Sequence, residues 1–433
     1  MPKKKTALTI EERLQQALVP AEEQPYEVPE NWVWVRLTNI ISLSTGKKDA
    51  NYGSDKGVYP FFTCASEPIA CNDYSFDGES ILVPGNGANV GLVIYYNGKF
   101  EAYQRTYVIQ KSKFNIKFIY YNMLAFWDEH NRNKQYGSAT NYIKLGNFES
   151  YNIALPPLSE QQRIVERIEE LFAKLDEAKE RLQEVADSFA VRKAAILHKA
   201  FTGELTQQWR RENGVSDESW EEKKLGEVGV LERGRSKHRP RNDERLFGGI
   251  YPFIQTGDVA NADMFIEKHS QTLSDFGMQQ SKLFAKNTIC ITIAANIGKV
   301  AILSYDSCFP DSVVGLTTDE KNSYKYVYYY LSTQQKELES KAPATAQKNI
   351  NLKVLNDLDI PLPSLPEQHE IVRLIDDLLA RERAAQQAAE QALASIDLMK
   401  KSILARAFRG ELGTNKASEA SALELLKQVL AEG

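Results

Sequence analysis

The sequence predicts an α+β protein in which two mixed α and β globules alternate with two long helices. Three observations lead to this prediction: a long amphipathic stretch at residues 155–205, a second copy of it at residues 362–412, and short apolar runs between Gly and Asn turns in the segment before each copy. The stretch and its copy have helical periodicity, whereas apolar runs bounded by such turns are typical of strands. A chain of 433 residues is long enough for two or three domains.

The first long helix is predicted at residues 159–201, because two prolines precede it and Gly203 follows it. Its apolar residues recur at spacings of four and three, and so narrow a seam suits one partner helix better than a domain core. Only Arg192 interrupts the seam. The predicted seam residues are Ile164, Ile168, Leu171, Leu175, Leu182, Val185, Phe189 and Ile196.

The second long helix repeats the first, 207 positions later and without a gap. The Pro-rich start, a Glu-Gln pair and the AF-x-GEL end recur with the heptads, although a coiled coil requires none of them, and this indicates a duplication. Glu382 and several alanines make the second seam slim in its middle, which favours pairing of the two helices with each other. The segment between them permits an antiparallel arrangement. The seam residues predicted here are Ile371, Ile375, Leu378, Ile396, Met399 and Ile403.

The duplication continues more weakly in the globules. Trp32 corresponds to Trp220, and the tripeptide Tyr-Pro-Phe at 59–61 corresponds to the same tripeptide at 251–253. Helices are predicted near residues 119–128 and 325–341, and short terminal helices at 9–18 and 417–431. The predicted organisation is an N-terminal arm (1–31), a first globule (32–153), a central helix and spacer (154–212), a second globule (213–360), a distal helix (361–412) and a C-terminal tail helix (413–433).

Composition excludes several classes of protein. The formal net charge of −5 gives no global basic field, so any nucleic-acid contact must be local. No apolar run is long enough to span a membrane and no signal peptide is recognisable, so we expect a cytoplasmic protein without membrane contact. Cys64, Cys71, Cys290 and Cys308 lack the spacing of a metal site, and we expect reduced thiols and no bound metal.

Catalytic motifs are nearly absent from the sequence. It contains no P-loop, no dinucleotide-binding fingerprint, no HExxH and no GxSxG. Pro310-Asp311 followed by Asp319-Glu320-Lys321 imitates the PD…(D/E)xK layout of metal-dependent nucleases, in which carboxylates hold a divalent ion. That pattern is short, and its counterpart in the first globule is Tyr103-Gln104, which cannot hold a metal. A nuclease using Asp311, Asp319 and Lys321 is therefore only an alternative hypothesis.

Residues suited to nucleic-acid contacts lie at equivalent places in the two globules. Cationic loops suit phosphates, whereas amides and guanidinium groups suit base edges; solvated loops and turns are the alternative interpretation. The candidates in the first globule are Lys47, Lys48, Asn86, Asn89, Gln104, Arg105, Asn141 and Lys144. Those in the second are Arg233, Arg235, Lys237, His238, Arg239, Arg241, Asn296, Gln347, Lys348 and Asn349.

Over essentially its whole length the chain resembles the specificity subunits of type I restriction–modification systems. The resemblance rests on the helix starts LPPLSEQQRIVERIEELF and LPSLPEQHEIVRLIDDLL, the ends AFTGEL and AFRGEL, and the VPENWVWVRL, YPFFTC and DGESILVPGNG blocks. It implies two target-recognition domains separated by two conserved helices that pair as an antiparallel coiled coil, with a pseudo-twofold internal repeat. Each domain would read one half of a bipartite, asymmetric site in double-stranded DNA.

The resemblance also implies partners. Two modification subunits carrying S-adenosylmethionine would bind beside the helices and methylate adenine N6 after flipping the base, and restriction subunits would use ATP and Mg²⁺ to translocate and cleave DNA. This chain would bind none of these cofactors and would not be an enzyme. Arg163, Glu170 and Lys174, on the outside of the first helix, are candidates for contacting the modification subunits. The alternatives are a bivalent protein-binding scaffold and a single-chain DNA nuclease or methylase.

Overall fold

The chain forms two compact units. The computed structural model describes residues 9–110, 112–137, 141–216, 218–294, 296–342 and 349–432. The first unit contains the residues up to Leu182 together with those from Gln391 onward, and the second contains Gln183–Glu390. Each unit therefore includes one globular domain and a part of each long helix.

The first domain is built from short strands and three helices. The elements up to the end of the first helical segment are α1 (Ile10–Ala17), β1 (Val33–Arg36), β2 (Ser42–Thr45), β3 (Tyr59–Phe62), β4 (Ile69–Cys71), β5 (Glu79–Pro84), β6 (Ile94–Asn97), β7 (Glu101–Ala102), β8 (Thr106–Gln110), α2 (Ile116–Asn131), α3 (Leu145–Glu149), β9 (Asn152–Leu155) and α4 (Leu158–Asp187).

Three sheets organise these strands in the first unit. An antiparallel sheet has the order β2-β8-β5-β6, a smaller sheet has the order β4-β3-β7, and β1 pairs with β9. Val33 lies opposite Leu155 in the last pair, which joins the start of the domain to the residues directly before α4. The larger sheet, α2 and the start of α4 share one core that includes Ile81, Phe118 and Ile168.

The second domain repeats this plan with more strands. The remaining elements are α5 (Phe189–Phe201), α6 (Gln207–Asn213), β10 (Glu221–Lys224), α7 (Leu225–Val228), β11 (Gly229–Arg233), β12 (Phe247–Phe253), α8 (Thr256–Asn261), β13 (Phe265–Ile266), β14 (Gln271–Leu273), α9 (Asp275–Gln279), β15 (Leu283–Phe284), β16 (Ile289–Thr292), β17 (Val300–Leu303), β18 (Ser307–Cys308), β19 (Val313–Thr318), α10 (Tyr324–Thr333), α11 (Gln335–Ser340), α12 (Leu352–Asn356), β20 (Asp359–Leu362), α13 (Leu365–Ala407) and α14 (Ala422–Glu432).

The sheets of the second unit correspond to those of the first. A five-stranded sheet has the order β11-β19-β16-β17-β13, a four-stranded sheet has the order β14-β12-β18-β15, and β10 pairs with β20. Glu221 lies opposite Leu362, so this pair again precedes a long helix. The five-stranded sheet, α10 and the start of α13 share a core that includes Ile291, Tyr326 and Ile375. The predicted α+β duplication is confirmed.

The first long helix is interrupted once. The sequence predicts one rod over 159–201, whereas α4 and α5 are separated at Ser188, which keeps helical angles and accepts a 3.0 Å hydrogen bond from Arg192 N. The second long helix, α13, is continuous. The helix predicted near 119–128 corresponds to α2, which is longer than predicted. The helix predicted at 325–341 is divided into α10 and α11. The tail helix begins later than predicted, at Ala422.

The two long helices run antiparallel within each unit. In the first unit Arg163 Nε donates to Thr414 O at 3.1 Å, and Asp176 pairs with Lys400 at 2.6 Å, so higher numbers in α4 meet lower numbers in α13. In the second unit Arg192, the residue that interrupts the first seam, forms an ion pair with Glu382. The charged residue of each seam thus neutralises the charge of the other. Polar pairs of this kind fix the register of coiled coils.

The predicted seam residues fall into three groups. Ile164, Ile168, Ile371 and Ile375 are buried in the domain cores, so the first turns of both helices belong to the domains as well as to the helix pair. Ile396 is buried, and seven residues are partly buried: Leu171, Leu175, Leu182, Phe189, Ile196, Leu378 and Ile403.

Val185 and Met399 are corrections, because they are 38% and 50% exposed. With 3.6 residues per turn, the inner positions shift by one residue to Ala186 and Lys400. The ammonium group of Lys400 lies 4.9 Å from the ring centre of Phe172.

Two other expectations concern exposed features. Arg163 is not left on the outside of its helix: it forms an ion pair with Glu419 at 2.8 Å and bonds Thr414 O, so it holds the C-terminal tail. Glu170 and Lys174 are exposed, as expected.

The four cysteines are free thiols. In the described part of the chain, no helix has the length and apolar character needed to cross a membrane.

Candidate nucleic-acid interface

Loops of the first domain converge at one end of its four-stranded sheet. β2 and β5 end there and β8 begins there, because Thr45 and Val83 both lie opposite Tyr107. Lys48 O accepts a 2.9 Å hydrogen bond from Gln104 N, and Gln104 Nε2 donates to Asp49 Oδ1 at 3.0 Å. The Lys47-Lys48 loop therefore lies beside Gln104.

The loop after β5 joins the same group. Gly85 N donates to Arg105 O at 2.9 Å, which places Arg105 next to the turn that contains both candidate asparagines. Asn89 Nδ2 donates to Cys64 O at 2.8 Å. Asn89 therefore supports the loop, and its amide nitrogen is directed at the protein.

Asn86 and Asn141 meet at this end of the sheet as well. Asn86 forms a backbone bridge with Tyr142, and Gly87 N donates to Asn141 O at 2.8 Å. Asn86 Oδ1 is buried and has no hydrogen-bond partner among the described residues. We call the surface formed by residues 46–49, 85–89, 103–105 and 141–144 the first loop face.

Lys144 completes the first loop face beside two tyrosines. Its ammonium group lies 4.3 Å from the ring centre of Tyr136 and 5.5 Å from that of Tyr142, and the two rings stack at 5.6 Å. Buried Asn147 fixes this segment, because its Nδ2 donates to Asn131 Oδ1 and its Oδ1 accepts from Lys144 N. A cation held over aromatic rings is pre-oriented for a phosphate or a base.

The second domain assembles its candidates at the corresponding sheet end. β11 and β16 end there and β19 begins there, since Arg233 and Ile291 both lie opposite Val314. Arg235 N donates to Phe309 O at 3.1 Å, and Ile293 N donates to Ser312 O at 3.0 Å. We call the surface formed by residues 233–241, 296–299, 310–312 and Asn349 the second loop face.

Many donors of the Arg-rich loop are used within the protein. Arg233 Nε donates to Asp311 O at 2.5 Å, Arg241 Nη2 donates to Asp311 Oδ2 at 2.8 Å, and Arg239 Nη1 donates to Ser236 O at 2.6 Å. Arg235 and Lys237 have exposed side chains. The loop is therefore an ordered cationic surface, and part of its charge is neutralised by Asp311.

Asp243 holds the end of that loop. Arg245 Nη2 lies 2.7 Å from Asp243 Oδ2, and His238 Nε2 lies 2.7 Å from the same oxygen. Hydrogen bonds from the Arg245 side chain and backbone, and then from His238, hold the pKa of Asp243 far below its ordinary value. Because this carboxylate anchors His238, the imidazole is a structural part of the loop.

The last candidates of the second domain lie partly outside the described residues. Asn296 is exposed and has a φ of +39°, a turn conformation that Asn tolerates. Asn349 forms a bridge with Ala294 and is also exposed. Gln347 and Lys348 lie outside the described residues.

The structure contradicts the nuclease hypothesis. Asp311 precedes β19 and Asp319 follows it, so the two residues lie beyond opposite ends of a six-residue strand that is itself about 20 Å long at roughly 3.3 Å per residue. Asp311 pairs with Arg241, whereas Asp319 Oδ1 accepts from Lys321 N. Among the described residues no group of three His, Cys, Asp or Glu side chains could hold a metal ion.

A second kind of site lies where each long helix meets its domain. Glu160 is fully buried in the first unit and accepts hydrogen bonds from Trp32 Nε1 at 2.8 Å, Asn415 Nδ2 at 2.9 Å and Thr414 Oγ1 at 3.3 Å. These partners come from the domain and from the tail that follows α13. We call this cluster the first junction.

The second junction repeats this arrangement with a cation. Fully buried Glu367 accepts from Trp220 Nε1 at 3.1 Å, Thr206 Oγ1 at 2.7 Å and Arg210 Nη1 at 2.7 Å. Arg210 is itself almost completely buried, and its Nη2 donates to Gly203 O at 2.9 Å. Gly203 has a φ of +79° at the end of α5, which explains the recurrent Gly of the AF-x-GEL end.

The glutamine of each Glu-Gln pair holds the residue that caps a domain helix. Gln161 Oε1 accepts from the backbone of Asn115, which caps α2, and Gln368 Oε1 accepts from the backbone of Ser323, which caps α10. The amide nitrogens donate to proline carbonyls at 2.9 Å in both cases. The Glu-Gln pairs are therefore structural.

Beside each junction a Lys–carboxylate pair lines a groove between the domain and its helix. Lys117 pairs with Glu169 at 2.7 Å in the first unit, and Lys325 pairs with Asp376 at 3.1 Å in the second. The grooves have volumes of about 470 Å³ and 710 Å³. The two units thus offer similar but not identical surfaces along the helices.

Sequence reasoning missed the aromatic residues in and beside the first loop face. Tyr52 lies under the Lys48 ammonium group, 4.1 Å from it, and its hydroxyl donates to Asp73 Oδ2 at 2.6 Å, a bond that raises the pKa of Tyr52. Tyr136 and Tyr142 were missed as well. The sequence did contain a signal for them, because they lie eight and two residues before Lys144 and tyrosines interleaved with cations are typical of nucleic-acid surfaces.

Comparison with known proteins identifies relatives along most of the chain. The family model described as "Type I restriction modification DNA specificity domain" matches residues 29–187 and 217–392. The specificity subunit of the type I restriction enzyme EcoDI from Escherichia coli is 30% identical over 436 residues, covering 94% of this chain and 96% of that protein. That of EcoBI from Escherichia coli is 27% identical, covering 75% and 73%.

A solved structure has the same fold. The HsdS subunit of Thermoanaerobacter tengcongensis superposes with a TM-score of 0.66 at 19% identity, covering 90% of this chain and 100% of that chain. The family matches fall on both halves of the repeat, and each match contains the tryptophan and the glutamate of one junction. The chain belongs to the family of type I restriction–modification DNA specificity subunits.

Proposed function

We propose that the chain is the DNA-specificity subunit of a type I restriction–modification complex, in which each loop face contacts one half of a bipartite, asymmetric DNA site. The recognition domains correspond to residues 32–153 and 213–360, flanked by the arm at 1–31 and the tail at 413–433. The helical segments at 154–212 and 361–412 set the spacing of the half-sites and dock the modification subunits.

One observation carries this proposal: two loop faces are built on the same strand ends but present different side chains. The first face presents Lys47, Lys48 and Lys144 with tyrosines, whereas the second presents an Arg-rich loop. Cations at equivalent strand ends suit the phosphates of one duplex, and differing polar side chains suit two different half-sites.

The duplicated junctions support two modification subunits as partners. Two copies of one protein need two similar binding surfaces, and the domain–helix grooves beside Lys117 and Lys325 provide such a pair. Exposed Glu170 and Lys174 lie on the same helix as the first groove. Restriction subunits would join this assembly in the cytoplasm.

The chain contributes specificity and no catalysis. S-adenosylmethionine belongs to the modification subunits, and ATP and Mg²⁺ belong to the restriction subunits. The role of the chain is to hold double-stranded DNA so that a modification subunit methylates a chosen adenine at N6.

The test is to express the chain with its modification subunit in a host without adenine methylation and to map methylated adenines across the genome. We expect a two-part motif with an unspecified gap, which disappears when this chain is omitted. A continuous motif, or a motif that persists without the chain, would contradict the proposal.

A further inference from the structure

A cavity beside the Arg-rich loop contains two amide side chains that the sequence analysis did not consider. It lies within the second unit and has a volume of about 660 Å³. Its lining includes Arg241 and Pro310 of the second loop face together with Phe253, Gln255 and Gln271. The two glutamines and part of the second loop face therefore line the same cavity.

The two glutamines hold each other in place. Gln255 follows β12 and precedes α8, and Gln271 begins β14 opposite Phe253. Gln255 Nε2 donates to Gln271 Oε1 at 3.0 Å. A side-chain amide has two donor hydrogens and two acceptor lone pairs, so after this single bond the pair still has both donors and acceptors.

This combination suits the edge of a nucleobase. In the major groove adenine presents an acceptor and a donor side by side, and glutamine matches both. The mutual hydrogen bond restrains the two side chains, so less conformational entropy is lost when they bind. Arg241, which pairs with Asp311 and lines the same cavity, can contact a phosphate while the amides contact a base.

The first domain differs at the same two places. Phe61 lies opposite Ile69 as Phe253 lies opposite Gln271, and the repeat of Tyr-Pro-Phe makes Thr63 the counterpart of Gln255. Ile69 is 46% exposed. The scaffold is the same, and an amide pair in one domain is replaced by Thr and Ile in the other, as expected where two domains read different bases.

We propose that Gln255 and Gln271 form a base-reading pair of the second recognition domain and contact the edge of an adenine in its half-site. The inference rests on the proposed DNA-specificity function and assigns part of that specificity to these two residues. The arginines of the second loop face then contact phosphates and keep the loop in one conformation.

The experiment maps the methylated motif of the full complex with this chain carrying both Gln255→Thr and Gln271→Ile, the residues of the first domain. We expect methylation of the original site to fall about tenfold or more and the base preference to change at one or two adjacent positions of one half-site. The other half-site and the gap stay the same. The control is Gln208→Ala, an exposed amide on α6 bonded to Glu212, which leaves the motif unchanged.

A second variant keeps the test decisive if the double variant folds poorly. Gln271→Glu is nearly isosteric and replaces a donor by an acceptor, so we expect preference at one position to move from adenine towards cytosine, whose exposed amino group needs an acceptor. If neither variant changes a base preference while the unaltered chain still confers a two-part motif, the amide pair is not a base reader. If the unaltered chain confers no motif, the proposed function itself fails.

Discussion

The junctions and the loop faces of this protein evolved differently from the same duplication. At each junction a buried glutamate, Glu160 or Glu367, accepts hydrogen bonds from a tryptophan and a threonine. At the loop faces the strands end at equivalent places, but lysines and tyrosines in one domain are replaced by an Arg-rich loop and amides in the other. The difference separates what stabilises each unit from what each domain would recognise.

The junctions differ in one respect: the second contains a buried arginine and the first does not. This difference gives the largest expected effect. Glu367→Gln removes the negative charge beside the buried guanidinium group of Arg210, and we expect a loss of about 3–5 kcal/mol of stability in the second unit. Glu160 has neutral hydrogen-bond partners, so Glu160→Gln should cost the first unit about 1–3 kcal/mol.

Hydrogen exchange of the slowest amides in each domain measures these losses separately, because a chain of two units need not unfold in one step. Glu166→Gln, at an exposed position of α4, is the control and should change stability by less than about 0.5 kcal/mol. Equal losses for Glu160→Gln and Glu367→Gln would show that the Arg210 charge has no special role.

The loop faces should respond to the loss of one cation through salt dependence. Lys237 is exposed on the second loop face, and Lys237→Gln should weaken DNA binding by the complex severalfold without changing the motif. If the lysine neutralises one phosphate, the slope of log affinity against log salt falls by about 0.9. Binding titrations at several salt concentrations measure this slope. Lys193→Gln on α5 is the control and should leave it unchanged. An unchanged slope would place Lys237 away from the DNA.

The helix pair offers a smaller test within the second unit. Arg192 and Glu382 are about one-third exposed, and a double-mutant cycle with Arg192→Gln and Glu382→Gln should give a coupling of about 0.5–1 kcal/mol. The more exposed pair Arg181–Glu177 within α4 should give about 0.3–0.5 kcal/mol. A coupling near zero for the first pair would mean that it does not set the register.

The smallest expected effect is the pH dependence of the C-terminal tail. The hydrogen bond from Arg163 lowers the pKa of Glu419 below its ordinary value of 4.5 in the folded chain. The pair therefore stabilises the docked tail above that pH, and this contribution is lost as the pH falls through the lowered pKa. Protection factors of the α14 amides, which allow for the slower intrinsic exchange at low pH, should be lower at pH 3 than at pH 5, and Arg163→Gln should reduce the difference. The same difference in both proteins would contradict this role.

Sequence periodicity predicted the repeat, the long helices and the pairing of those helices, because these features depend on local spacing. It placed the candidate residues on loops, and the structure brings the described ones together at one end of each sheet. It could not assign the Glu-Gln pairs, since Glu160 and Trp32 or Glu367 and Trp220 meet only after folding. It could not bring Gln255 and Gln271 together, since Gln255 follows β12, Gln271 begins β14, and the two meet only through the pairing of these strands.

The central claim is that each domain carries the specificity for one half-site on a shared helical frame. The most direct measurement replaces residues 220–359 with the corresponding domain of another family member and maps the methylated motif of the resulting complex. The account predicts that one half of the motif changes, while the other half and the gap stay as they were. A change in both halves, or in neither, would contradict it.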